Sequence, residues 1–186
     1  MEKAEFYKIL HRRIAQTTIS AQAMRKQGPP KMVEVCRHYL EMEISIEEFF
    51  ECLPDEELYL KFLDRHTDRL RKSFPLGGRQ NWGAARKAIN LFLREIVYNN
   101  YFAILYKLPV SYHRNNLHIR NLEVPLDSHV AKGIIKDAKK TDLKWISIKS
   151  LDKNKSTTFQ AQAQAIAKKE NIARIYLDIK YWRSEQ

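Results

Sequence analysis

The sequence predicts an all-α fold, a helical bundle forming a single domain over residues 1–186. Two observations carry that prediction. Apolar residues recur at helical spacing through most of the chain, and only five glycines and six prolines interrupt 186 residues. With 44% apolar and 30% charged residues, the balance is that of a globular domain long enough to bury a core.

The elements follow in order. Phe6, Ile9, Leu10 and Ile14 form the stripe of an amphipathic helix. The segment Thr17 to Gln27 ends at Gly28-Pro29-Pro30, a stop signal. Met32, Val35, Cys36, Tyr39 and Leu40 mark the next helix. Ser45-Ile46-Glu47-Glu48 has capping-box spacing and starts a helix at Ile46 that runs toward Cys52. Pro54-Asp55 opens another, whose period is kept by Leu58, Phe62, Leu63, His66 and Leu70 as far as Phe74. A hairpin region of about 77–106 comes next. There Gln80 to Ala85 reads as a tight turn of small residues, opening into an apolar helix that continues through Ile89, Phe92, Leu93 and Ile96 to Tyr106.

Residues Pro109 to Pro125 are polar and aromatic without a period and read as a long loop or irregular insertion. Within the segment 122–139, Asp127 stands where an N-cap would, before a helix over Ser128 to Lys139. Thr141 to Asn154 has no single reading, although Trp145-Ile146-Ser147-Ile148 alternates like a short strand. Ser156 or Thr157 can cap a helix ending near Asn171, and a last helix covers 173–183.

The charge balance narrows the partner. Thirty-three basic residues stand against 22 acidic ones, a formal net charge of +11. Such an excess favours a polyanion, because Lys and Arg that neutralise phosphates release counterions; a merely solubilising surface or a membrane surface is the blander alternative. Cys36 and Cys52, the only cysteines, fit a reduced chain and are too few for a four-cysteine iron–sulfur or zinc site. The histidines lack metal-ligand spacing, so neither metal nor cofactor is expected. No H-x-E followed by P-C-x-x-C occurs, which disfavours a zinc deaminase. The charged N-terminus has no apolar signal stretch, and the longest apolar run, Tyr101 to Tyr106, falls far short of the ~18 residues needed to span a bilayer. The expectation is a monomer of the cytoplasm, associated with the nucleoid and without a membrane partner.

Two stretches carry chemistry. A hairpin that grips DNA by its backbone needs low bulk where amides approach phosphate, and a helix N-terminus adds a favourable dipole. Gly83-Ala84-Ala85 supplies the low bulk, with Arg79 and Arg86 flanking it. Lys87 in the first turn would then face a sugar whose base has left the stack, where a desolvated amine can act as nucleophile. Asp127 beside that sugar would stabilise an oxocarbenium-like transition state and activate the nucleophile. Taken singly, Lys87 reads as a solvated helix lysine, and Asp127 as a cap worth ~1 kcal/mol.

Taken together, the two stretches resemble the helix–hairpin–helix DNA glycosylase superfamily, whose hairpin reads roughly L-P-G-V-G-R-K-T-A-N and is followed by V-D-T-H-V. Here the segments are Gly83-Ala84-Ala85-Arg86-Lys87-Ala88-Ile89-Asn90 and Leu126-Asp127-Ser128-His129-Val130. By that resemblance Lys87 is the Schiff-base lysine, Asn90 the asparagine after it and Asp127 the catalytic aspartate. Their separation of 40 residues is wide for endonuclease III-like members and is similar to the archaeal 8-oxoguanine glycosylase branch. That branch has I-P-V-D-Y-R-V-A-R and L-H-L-D-T-L-L-W, against Val124 to Lys132 and Ile175-Tyr176-Leu177-Asp178-Ile179-Lys180-Tyr181-Trp182 here.

The resemblance implies a helix–hairpin–helix motif, a DNA cleft between helical lobes, and Asp178 and Trp182 in the base pocket on one helix face. Ile19-Ser20-Ala21-Gln22-Ala23 looks like L-S-A-Q-A, which would place Gln22 in the gap left by the flipped base. Arg79, Trp82, Gly83, Ala85, Arg86 and Arg94 would lie along the DNA backbone. The second hairpin glycine is Ala85 here, and Tyr112, His113, Arg114 and His118 in the insertion could line a changed pocket.

The function expected is therefore a DNA glycosylase acting on double-stranded DNA with a damaged or modified base, such as 8-oxoguanine, perhaps with lyase activity at the abasic site. The alternatives are a glycosylase for bulky modified bases of phage DNA, and a non-catalytic clamp that only binds DNA.

Overall fold

Helix starts in this chain are set by short polar side chains that accept bonds from backbone N–H groups a helix leaves orphaned. The computed structural model describes residues 2–24, 26–108, 119–139 and 142–182. Among them every regular element is helical, which bears out the all-α class. Six helices form the first part: α1 (Lys3–Thr18), α2 (Met32–Met42), α3 (Ile46–Cys52), α4 (Glu56–Ser73), α5 (Trp82–Tyr98) and α6 (Asn100–Leu105). Then come α7 (Ser128–Ala138), α8 (Lys153–Lys169) and α9 (Leu177–Tyr181), with 3₁₀ turns at Ile148–Ser150 and Arg174–Tyr176. Ser45 Oγ accepts from Glu48 N at 3.1 Å and Asp55 Oδ1 from Leu58 N at 3.0 Å, so α3 and α4 begin where their polar signals stand.

Four expectations are corrected. The helix from Ala84 to Tyr106 is broken, because Asn99 Oδ1 accepts from Tyr101 N at 3.0 Å and starts a new helix there. Trp145 to Ile148 forms no strand; the chain enters a 3₁₀ turn in which Ser147 and Ser150 cap each other. Helix α8 starts earlier than Ser156 or Thr157, with Asp152 Oδ1 accepting from Lys155 N at 2.8 Å. The C-terminal helix expected over 173–183 is shortened to Leu177–Tyr181 by the 3₁₀ turn before it. Among the described residues no helix is long and apolar enough to cross a membrane.

Apolar side chains gather into two clusters. The larger joins α1 to α6 around Phe49, Tyr59, Phe62, Phe74, Phe92 and Phe102. The smaller joins residues 124–126, α7, α8 and α9 around Val130, Ile134, Phe159, Ile166 and Leu177. Helix α5 belongs to the first, and its opening turn lies against the second. A Cβ on Gly83 would stand 2.1 Å from the Ile148 carbonyl oxygen and 2.8 Å from Leu151 Cβ, so only glycine lets the two come together. The turn between α4 and α5 lies over Pro75–Asn81, where Gly77 takes φ +87° and Gly78 N donates to Pro75 O at 2.8 Å.

Candidate functional site

Lys87 and Asp127, far apart in sequence, meet at the seam between the two clusters. Asn81 fixes the start of α5: its Oδ1 accepts from Ala84 N at 2.9 Å and its Nδ2 donates to Gln27 O at 2.6 Å. Two turns of buried backbone then bring Lys87 to the seam, where it keeps 9% of its surface exposed. Asp127 is the N-cap of α7, with Oδ1 accepting from His129 N at 3.0 Å and Val130 N at 3.1 Å. The cap commits one carboxylate oxygen and aims the other. Asp127 Oδ2 stands 3.7 Å from Lys87 Nζ, an ion pair longer than a hydrogen bond.

The segment leading into Asp127 is irregular yet buried from Asn121 to Leu126. A buried loop must find partners for its backbone, and side chains supply them. Arg174 donates to Leu122 O at 3.0 Å and Asn121 O at 2.7 Å. Gln160 bonds both backbone groups of Val124, accepting from N at 3.1 Å and donating to O at 2.8 Å. Glu123 receives Arg86 Nε at 2.9 Å, Arg86 Nη2 at 3.1 Å and Asn90 Nδ2 at 2.9 Å. Sequence reasoning missed Glu123, Gln160 and Arg174; the only trace was a lone carboxylate between Leu122 and Val124. The insertion residues Tyr112, His113, Arg114 and His118 lie outside the described residues.

Arg86 is the principal correction among the expected backbone contacts. It is 4% exposed, held by Glu123 and, through its other nitrogens, by Thr67 Oγ1 at 3.1 Å and Asp64 at 3.0 Å. Its guanidinium also lies 5.1 Å over the ring of half-buried Trp82. Gly83 and Ala85 are corrected with it: both are buried inside the first turn of α5, and Ala85 N donates to Asn81 O. Arg79 is exposed on the α4–α5 turn, its Nε donating to Phe74 O at 3.2 Å. Arg94 is paired with Glu95 and with Asp178.

Asp178 on α9 is largely buried, and burial pushes its carboxyl above the ordinary value against the pull of Arg94. Asp127 pushes in the same upward direction and Lys87 in the opposite one, so the three charges share one field. Trp182 follows the end of α9 and is 69% exposed, so the shared helix face expected for it and Asp178 does not serve one buried pocket. Gln22 lies exposed in the turns after α1, away from any regular helix. Arg94 also borders a cavity of about 460 Å³ lined by Thr17, Thr18, Glu95, Tyr98 and Asn99, and Tyr98 stacks on Tyr176 at 6.1 Å.

No family model, curated protein or solved structure matches this chain. Among the described residues no group of three or more His, Cys, Asp or Glu is placed to hold a metal ion. What the site holds is a nearly buried primary amine, a capped carboxylate facing it, and a second carboxylate kept from full ionisation by burial. A buried amine close to a base is a nucleophile for an electrophilic carbon.

Proposed function

We propose that the chain is a DNA glycosylase that turns a damaged or modified base out of the duplex and cleaves its N-glycosidic bond. The approach of Lys87 Nζ to Asp127 Oδ2 at 3.7 Å carries the reading. The net charge of +11 supports it by favouring a polyanionic partner, and exposed Arg79 on the α4–α5 turn is placed to meet a phosphate. The cavity beside Arg94 and Asp178 lies within the size range of small-ligand pockets.

The chemistry is balanced as follows. Asp127 takes a proton from the Lys87 ammonium, freeing the nitrogen lone pair to attack C1′ of the flipped nucleotide. The C1′–N bond breaks, and the base leaves with the bonding electrons and gains a proton. Opening of the sugar ring at O4′ converts the C1′ adduct to a Schiff base. Loss of a C2′ proton then expels the 3′ phosphate by β-elimination. During bond cleavage the second charge of Asp127 faces the positive sugar, where a fixed carboxylate is worth most. Asp178, held by Arg94, is the group placed to bond the edge of the departing base.

Borohydride trapping tests this on duplexes carrying 8-oxoguanine, uracil, thymine glycol, alkylated bases and bulky modified cytosines, with heat–alkali cleavage alongside. A covalent adduct on one duplex is the expected result. Alkali-dependent cleavage without an adduct would reassign the attack to water. DNA bound on every duplex with neither product would overturn the enzyme and leave a clamp.

A further inference from the structure

Beside Lys87, on the side away from Asp127, two buried polar atoms stand without partners. Ser156 on α8 is 1% exposed and Asn90 on α5 is 2% exposed; neither Ser156 Oγ nor Asn90 Oδ1 has a hydrogen-bond partner. Both residues line one narrow gap with Lys87, closed by Arg86, Leu126 and Leu151. The gap is too tight to admit a water molecule, so its polar atoms must look to the protein for bonds. Burying a polar group without a partner costs stability, and such groups concentrate where function requires them.

The Asn90 amide is already oriented. Its Nδ2 donates to Glu123 Oε2 at 2.9 Å, which turns Oδ1 away from that carboxylate. Arg86 cannot serve as the missing donor, since its nitrogens are taken by Glu123, Thr67 and Asp64. The neighbour with donors to spare is Lys87. An ammonium carries three N–H groups, and the contact with Asp127 at 3.7 Å is too long to use one as a hydrogen bond.

We propose that Ser156 and Asn90 form a second, inward station for the Lys87 amine, so that the lysine divides its time between the buried gap and Asp127. Asn90 Oδ1 accepts from the amine in either protonation state. The Ser156 hydroxyl accepts from an ammonium and donates to a neutral amine. Turned inward, the amine is shielded; turned outward, it faces Asp127 and whatever occupies the seam. Ser156 and Asn90 are thus positioning residues acting through Lys87. Their place in a reaction rests on the glycosylase reading, whereas the two stations do not.

Amine labelling of the full chain without DNA tests the stations. Methyl acetimidate modifies exposed amines, and the extent at Lys87 is read by peptide mass spectrometry against exposed Lys61 in the same digest. In Ser156→Ala the Lys87 to Lys61 ratio is expected to rise about tenfold, the worth of one charge-assisted hydrogen bond. Ser156→Val should behave the same, and Ser156→Thr, equal in shape but keeping the hydroxyl, should return the ratio to that of the parent. An unchanged or lowered ratio in the Ala and Val variants, or Thr matching Val, would overturn the proposal. A labelling pattern as expected, in a protein trapped on no duplex, would keep the stations and reject the glycosylase.

Discussion

Arg86 and Lys87 are neighbours on one helix, and each meets a carboxylate from the same downstream segment, yet the two pairs do opposite work. Arg86 is 4% exposed and joined to Glu123 by bonds of 2.9 and 3.1 Å. Thr67, Asp64 and the Trp82 ring complete its shell. Lys87 has one ion pair, at 3.7 Å, with a carboxylate that is a third exposed. A fully bonded buried pair is a brace, with no capacity left for a ligand. A long, partly open pair retains unused donors and acceptors, as a reacting site needs. The brace also serves the site: Glu123 lies four residues before Asp127, so anchoring one sets the position of the other.

The largest effect that would sharpen this contrast is chemical. Lys87→Gln removes the amine from an unbraced pair, and Schiff-base trapping should vanish while the thermal midpoint stays close to the parent. Undiminished trapping by that variant would remove Lys87 from the mechanism. Asp127→Asn keeps an N-cap, since asparagine caps as well as aspartate, but loses the charge. Base release measured under single turnover should fall by about 10² to 10⁴, with duplex affinity little changed. A parallel loss of affinity would mean that Asp127 only shapes the surface.

The brace should respond in the other currency, stability. Glu123→Ala leaves a buried guanidinium without its principal partner, and denaturant titration should show a loss of about 3–5 kcal/mol. A loss near zero would show that Arg86 finds other partners and that the contrast is overdrawn. A smaller effect belongs to acid. His66, 1% exposed, is held by burial down to about 4 from 6.5, with the adjacent Arg65 adding in the same direction. The folded chain therefore disfavours a proton that the unfolded chain accepts near pH 6.5. Its contribution to stability is complete above that pH and is lost as pH falls toward about 4. Unfolding midpoints measured across that window should decline, and less steeply in His66→Gln. Least of all, Asn99→Ala should cost about 1 kcal/mol by removing the cap that starts α6, read by the same titration.

How far these features were legible follows from how local their causes are. Asp127, Asp55 and Ser45 announce themselves because a cap bonds a backbone N–H only two or three residues away. The cap at Asn99 is equally local, but it sits inside an apolar run that reads as one continuous helix. The roles of Arg86 and Lys87 could not be separated from sequence. Both are cations in the first turns of one helix, and what divides them is Glu123, 37 residues downstream. Arg174 and Gln160 were invisible for the same reason: each serves a buried loop that meets α8 and the C-terminal turn only in the folded chain. The strand expected at Trp145 to Ile148 failed because alternation over four residues has no neighbouring strand to pair with among the described residues. The pairing of Lys87 with Asp127 was expected only through a resemblance, and the geometry brings the two together independently of it.

The most direct measurement is peptide mapping of a borohydride-trapped protein–DNA adduct. The account predicts a single modified residue, Lys87, carrying the reduced sugar. An adduct on the N-terminal amine or on another lysine would contradict the central claim that the open pair at the seam is where the chemistry occurs.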